Sequence, residues 1–371
     1  MAVVTIGVAV SVKIALANIL IGIAAILWMV ALRAGSVRWR PAALYLPVGL
    51  YVIASLGAVV FSQDPGHSVH ELGDLLTLVL VPMTVSLFDE DRWDRLLQAL
   101  AVVATASSLV GLWQYAHGAS DLEHRLRGLT THYMTFSGWT LIVMLLLLAD
   151  MVFRRERRRL LWTFPVFAIC GAAVFLSYTR NAWVGLAAGL VLLAAVWKPK
   201  AFLLYPVLAV VLLVVLPKPV IHRFVSIVDL RQPANYDRLC MMISAEEMVQ
   251  DHPLFGVGLG MVQRRYPVYR RDDAPRWRVP HLHDNVFQIA AESGLFGLAA
   301  YLAILVVFFR YTWSALRVAE GRRFAMLAGC FLAVAGITIA GLFEYNWGDA
   351  EVWIVTLTCL SIPFALTAEA S

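Results

Sequence analysis

Charge is scarce in this sequence. Asp, Glu, Lys and Arg together make up 15% of its 371 residues, hydrophobic residues make up 60%, and the mean hydropathy is +0.74. Soluble domains carry about a quarter charged residues, so a soluble globular protein is excluded. Cysteine is also scarce. Cys170, Cys330 and Cys359 fall in apolar runs and read as packing residues, and Cys240 stands alone in a polar stretch. With no CxxC pair, a disulfide framework and a cysteine metal site are both excluded. Alternating segments of about ten residues, the mark of an outer-membrane barrel, are missing as well. No small-residue cleavage site follows the first apolar stretch, and no cleavable signal peptide is expected.

Long apolar runs are abundant. A bilayer is crossed by roughly 20 apolar residues, and such runs recur near 12–32, 41–62, 72–88, 95–116, 130–152, 160–178, 182–197, 201–217, 285–309, 323–343 and 351–368. The expected fold is therefore an all-α integral membrane protein, a single polytopic domain over 1–371 with about eleven to twelve spans and one large loop, 218–282. Short connections rich in Lys and Arg stay in the cytoplasm. "RAGSVRWR", "RRERRR" at 154–159, "KPK" at 198–200 and the Arg310–Arg323 linker fall on one side of an eleven-span count. That side is assigned to the cytoplasm, with the N-terminus outside and the C-terminus inside.

The opposite side receives "SQDPGHSVHELGD", "HGASDLEHRLRG", "SYTRN", the long loop and "FEYNWGD". The loop holds ten Lys or Arg against seven Asp or Glu, which long loops are free to do. Nine of those cations are arginine: Arg223, Arg231, Arg238, Arg264, Arg265, Arg270, Arg271, Arg276 and Arg278. The planar guanidinium fork suits bidentate phosphate contacts. A general attraction to lipid headgroups is the competing explanation.

Three stretches carry chemistry. In "VFLSYTRNAWVGL", Arg180 sits where one span ends and the next begins; a cation at a membrane boundary needs a partner or a polar cavity. In "YDRLCMMISAEEMVQDHPLFGVGLGM", the spacing predicts an amphipathic helix over 239–248 with Leu239, Met242, Ile243 and Ala245 on its apolar stripe. Arg238 stands at its start, and "GVGLG" follows as a flexible turn. No Lys-Ser/Thr follows that turn, which removes a nucleotide phosphate loop. In "VPHLHDNVFQIAAESGLFGL", Asp284 or Asn285 can cap a helix, and Asn285 with Gln288 has capping-box spacing. His283 then sits at the helix mouth. Gly294 and Gly297 are expected to admit a neighbouring helix. Glu292 shares a face with Asn285 and Gln288. His281 with His283 could be a metal pair, but no third ligand has convincing spacing.

The third stretch resembles the helix signature of the O-antigen ligase and O-antigen polymerase family, where a histidine is followed nine residues on by Glu-x-Gly and then Gly-Leu. "SYTRNAWVGL" is similar to that family's Ser-x-Thr/Ser-Arg motif, and "YDRLCMMISAEEMVQDHPLFGVGLG" to its Arg-containing helix followed by His-Pro-x-x-Gly-Val-Gly. "GLFEYNWGDAEVW" is like the segment that ends many relatives. The resemblance runs over roughly residues 70 to 350, with the motifs in family order. Two departures stand out: the family often has His-Asn where this chain has His283-Asp284, and it typically has about twelve spans.

The resemblance implies a metal-independent, GT-C-like membrane glycosyltransferase without a cofactor. It implies a polyprenyl-diphosphate-linked glycan as donor and a sugar hydroxyl of lipid A-core, or another glycan, as acceptor, with transfer at the periplasmic face of the bacterial inner membrane. Arg180 and Arg238 match the family's essential arginines and would hold the donor diphosphate. His283 matches its essential histidine, the group that takes the acceptor proton. His281, Asp284, Asn285, Glu292, Arg264, Arg265 and Glu344 are supporting candidates. Asp284, Asp272, Asp273 and Glu344 are the carboxylates available to orient His283. A polymerase and a protein O-glycosyltransferase share these motifs. A lipid-linked glycan transporter is the competing class, and it would place polar residues near mid-membrane. Membrane lipids are the expected surroundings, and nothing points to nucleic acid.

Overall fold

The computed structural model describes residues 14–118, 125–197 and 232–367, and every regular element among them is helical. The chain is an all-α integral membrane protein. Its helices are α1 (Ile14–Arg33), α2 (Tyr45–Val60), α3 (Pro65–Glu71), a 3-10 stretch (Leu72–Val79), α4 (Leu80–Leu87), α5 (Glu90–Ala116), α6 (Tyr133–Arg154), α7 (Arg157–Leu176) and α8 (Arg180–Trp197). Then come α9 (Pro233–Asp251), α10 (Val262–Tyr269), α11 (Asn285–Leu316), α12 (Gly321–Ala340) and α13 (Ala350–Thr367). Seven helical stretches among the described residues are long and apolar enough to cross a bilayer, and three shorter apolar helices run within α1, α2 and α8. The expected span at 201–217 lies outside the described residues, as do Arg223 and Arg231.

The expected span at 72–88 is not one helix. Pro65–Leu87 is built from α3, the 3-10 stretch and α4 in series. Asp64 caps α3 by accepting from the His67 amide (3.1 Å), with Pro65 at the first helical position, where proline costs nothing. The Thr77 hydroxyl then donates to the Asp74 carbonyl (2.6 Å), and such local bonds compete with regular helix.

α6 and α12 form the centre, buried along most of their length. α8 packs against α12 at two facing glycines. A Cβ on Gly185 would lie 2.6 Å from the Gly336 carbonyl oxygen. Small residues let backbones approach in a membrane, and this contact brings the start of α8 beside the end of α12. The opposite end is tied by charge. Arg154 reaches Asp94 (2.7 Å), Arg159 reaches Asp150 (2.9 Å) and Asp94 (2.8 Å), and Arg322 reaches Asp94 (3.2 Å). Four helices, α5, α6, α7 and α12, thus meet in one ion-pair network. Asp150 is buried, so removing an arginine partner would leave a costly unpaired charge.

α11 departs from expectation in two ways. It continues to Leu316, and it breaks at Gly294, whose φ of 66° and ψ of −170° are not helical. Gly294 was expected to admit a helix; it admits a loop. The Val257 and Gly258 amides donate to the Ala291 and Glu292 carbonyls (2.8 and 3.2 Å). In return the Leu295 and Phe296 amides donate to the Pro253 and Leu254 carbonyls (2.8 and 3.4 Å). Groups freed by the break are thus satisfied by "HPLFGVG", as membrane-depth backbone requires. That segment is therefore held in place and is not a flexible turn. Phe255 also stacks on Phe61 at the end of α2 (4.9 Å).

This φ/ψ region is essentially restricted to glycine, and a Cβ at Gly294 would lie 2.3 Å from the Leu254 carbonyl. Gly294→Ala is therefore expected to cost more than about 4 kcal/mol, the range of exceptional substitutions, and to cut folded yield and melting temperature in detergent. Gly49→Ala, where a Cβ meets nothing within 4 Å, should leave both unchanged or slightly improved.

Candidate functional site

The start of α11 organises the site. Asp284, not Asn285, is the cap: one of its carboxylate oxygens accepts from the Val286 and Phe287 amides (2.7 and 3.0 Å). Burial pushes the Asp284 pKa up to about 6 against those amides and the charge of Arg238. Gln288 bonds back to the Leu282 amide (2.8 Å) and not to Asn285, so the capping-box pairing does not form. Asn285 is a clasp. Its amide donates to the Gly341 carbonyl (2.7 Å), and its side-chain oxygen accepts from the Trp347 amide (3.0 Å). Those bonds fix the segment after α12 against the segment before α11.

That clasp carries Glu344 to His283. The histidine takes a left-handed backbone, φ 54°, a region where His, Asn and Asp are the side chains tolerated most often. Its Nδ1 lies 2.9 Å from Glu344 Oε2. Glu344 is buried, which would raise its pKa. The hydrogen bond from His283, with the charge of Arg238, holds it below the usual range instead. Of the four carboxylates open from sequence, Glu344 is the one on His283. Asp284 is spent on the cap, and Asp273 bonds Arg271 (2.8 Å) and Tyr236 (2.6 Å).

Arg180 arrives from another direction. The turn between α7 and α8 is folded by its hydroxyls: the Ser177 hydroxyl donates to the Val174 carbonyl (2.7 Å) and lies 2.8 Å from the Thr179 hydroxyl. Arg180 is the first residue of α8, at the positive end of that helix. Arg180 donates to the Asn235 side chain (2.8 Å) on α9. Asn235 precedes Arg238 by three residues and so shares its helical face.

These groups enclose a cavity of about 420 Å³. Arg180, Asn235, Arg238, His283 and Asp284 supply its polar wall, and Val184, Leu239, Met242, Leu342 and Phe343 its apolar wall. Leu239 and Met242 were expected on one stripe with Ala245. The helix instead buries Cys240, Met241, Ser244, Ala245 and Met248, with Met241, Ala245 and Met248 packed against the α10 and α11 side, and turns Leu239 and Met242 to the cavity. Asn235 and Phe343 were missed from sequence. The three-residue spacing of Asn235 from Arg238 was the available signal.

Other candidates lie elsewhere. Arg264 pairs with Asp64 (2.8 Å) and Arg265 lies over the Tyr269 ring (5.8 Å); neither lines this cavity. Glu292 faces a different cavity. His281 sits beside His283, ring centroids 4.3 Å apart, with Nε2 3.5 Å from Glu344 Oε1. Burial drives the His281 pKa down to about 4, opposed by Glu344, so it is neutral at pH 7. The third metal ligand not found by spacing is present in space: His281, His283 and Glu344 place ligand atoms within 4.8 Å of one another. The 2.9 Å between His283 and Glu344 is a direct hydrogen bond, shorter than the roughly 3.3 Å edge of a tetrahedron with zinc bonds of about 2.0–2.1 Å.

Residues 165–302 match the family model described as O-antigen ligase. The match takes in Arg180, Arg238, His283 and the break at Gly294. Comparison with curated proteins returns no match.

Proposed function

We propose that this chain, whose residues 165–302 match the O-antigen ligase family model, acts as a member of that family and moves a glycan from polyprenyl diphosphate to a sugar hydroxyl of lipid A-core at the periplasmic face of the bacterial inner membrane. Ligase- or polymerase-type transfer between a lipid-linked glycan and a glycan acceptor is the family's general activity. One observation carries the finer reading. Two arginines and a carboxylate-held histidine share one cavity whose other wall is apolar.

The chemistry follows from that arrangement. Arg180 and Arg238 bind the donor diphosphate, while Leu239, Met242 and Phe343 meet the first isoprene units. The acceptor oxygen attacks the anomeric carbon, the bond from that carbon to the phosphate oxygen breaks, and the lipid diphosphate leaves with the electron pair. Guanidinium groups fixed in a water-poor site stabilise the charge that develops there. With His283 Nδ1–H donating to Glu344, Nε2 carries the lone pair that takes the acceptor proton. Glu344 then faces an imidazolium. This division of labour assigns no step to His281.

The periplasmic assignment rests on the two ends of the bundle. The ion-pair network of Arg154, Arg159 and Arg322 lies at one end, and the cavity at the other. All four cysteines are buried, so an introduced thiol can be read against a low background. Arg278→Cys, at an exposed position, should react with an impermeant thiol reagent added outside spheroplasts. Arg157→Cys should react only after lysis. The reverse pattern would put the site on the cytoplasmic side and remove the donor proposed here.

A further inference from the structure

Beyond His281 lies a second cavity of about 300 Å³. Its wall differs in kind from the first. Glu71, Asp74 and Glu292 bring carboxyl groups, Tyr51, Tyr345 and Trp347 bring aromatic rings, and no lysine or arginine lines it. Trp353 also lines it.

The two cavities share one partition. His283 lines the first, His281 lines the second, and Glu344 touches both rings. We infer that the second cavity binds the acceptor sugar, and that the bound sugar is neutral or amino-substituted and carries no phosphate. The inference rests on the glycosyltransferase reading above. In a displacement at the anomeric carbon, the nucleophile enters opposite the leaving diphosphate. Donor and acceptor must therefore reach the anomeric carbon from opposite sides, and the two cavities meet at the partition that His283, His281 and Glu344 form.

Selectivity follows from the wall. Carboxyl oxygens accept hydrogen bonds from sugar hydroxyls or an ammonium group, and aromatic rings offer apolar faces with polar edges. A phosphate would meet three carboxyl groups and no lysine or arginine, with the His67 and His281 rings as the wall's other titratable groups, and like-charge juxtaposition disfavours such a ligand. The first cavity has the opposite bias, with two arginines on its polar wall. The two substrates are thereby sorted by charge before either reaches the histidine.

The test uses Gln263→Cys, an exposed position on the second cavity's wall, in the full-length protein with its four buried cysteines. Alkylation of the new thiol is followed by mass spectrometry with three probes: a glucosamine disaccharide, an N-acetylglucosamine disaccharide and N-acetylglucosamine 6-phosphate. At least one unphosphorylated probe should slow alkylation threefold or more, and the phosphate ester should not. Asp74→Asn should weaken that protection and raise KM for the acceptor about tenfold, leaving KM for the donor unchanged. Equal alkylation rates with every probe, or better protection by the phosphate ester, would overturn the inference. If wild-type protein transfers glycan yet no sugar protects, the cavity assignment fails and the transferase reading stands. Protection without any glycan transfer would keep the sugar site and remove the transferase reading.

Discussion

Lysine in place of Arg180 or Arg238 is expected to remove most glycan transfer, each variant losing about 10²-fold or more in kcat, the scale of losing one preorganised donor to a developing anion. Both substitutions keep the positive charge. What lysine lacks is the planar fork that meets a diphosphate in bidentate fashion. Arg180 also spends one guanidinium nitrogen on Asn235, which fixes its plane, and a lysine ammonium would hold no such orientation. The losses should fall mainly on kcat, because the charge on the leaving diphosphate grows toward the transition state. An arginine that only satisfied lipid headgroups would tolerate the change. Wild-type rates in both variants, at normal expression, would eliminate the diphosphate clamp.

Removing the imidazole of His283 should cost about 10²–10⁴-fold in transfer, the usual contribution of a positioned general base. The backbone dictates which variants are informative. His283 has φ 54°, a conformation that alanine enters at a cost of about 1–2 kcal/mol and asparagine adopts routinely. His283→Asn therefore separates chemistry from folding. It should fold and bind donor, with a modest loss in melting temperature from the buried Glu344 that loses its His283 partner, and transfer almost nothing. His283→Ala should be as inactive and somewhat less stable. Glu344→Gln should also lose activity, since it no longer stabilises an imidazolium, while His281→Ala should lose much less. Retained turnover in His283→Asn would make this residue a structural element of the α11 cap and nothing more.

Much of this architecture is legible in the sequence, for a physical reason. Apolar runs must be long enough to bury a helix in lipid, so hydropathy locates most spans, and α5 to α8 fall close to their expected limits. Patterns fail where the backbone changes course without a change in polarity. The apolar run through Gly294 continues on both sides, so nothing local announces that its freed amides and carbonyls are met by residues 253–258. The 72–88 run is likewise mostly apolar, and only Gly73, Asp74 and the hydroxyl of Thr77 mark the 3-10 stretch within it.

The site divides in the same way. Arg180, Arg238 and His283 occupy recognisable local motifs, and the fold gathers all three on one cavity. The partner of His283 was not legible, because Glu344 lies 61 residues on and reaches it through Asn285, Gly341 and Trp347. Spacing along the chain carries no trace of such a clasp. Two of the supporting arginines, Arg264 and Arg265, were drawn in by charge alone and turn to Asp64 and Tyr269. Leu239 and Met242 read by periodicity as part of one apolar stripe with Ile243 and Ala245, yet they line the cavity that holds Arg180, Arg238 and His283. A lipid-binding wall and a packing face use the same residue types.

The most direct test reconstitutes the purified protein in proteoliposomes with a labelled polyprenyl-diphosphate-linked glycan and lipid A-core, with no nucleotide sugar and with EDTA present throughout. The account predicts label covalently attached to lipid A-core, at a rate unchanged by the chelator and lost in His283→Asn. Label that crosses the membrane still joined to its polyprenyl carrier, with no new covalent product, would contradict it and make the protein a transporter.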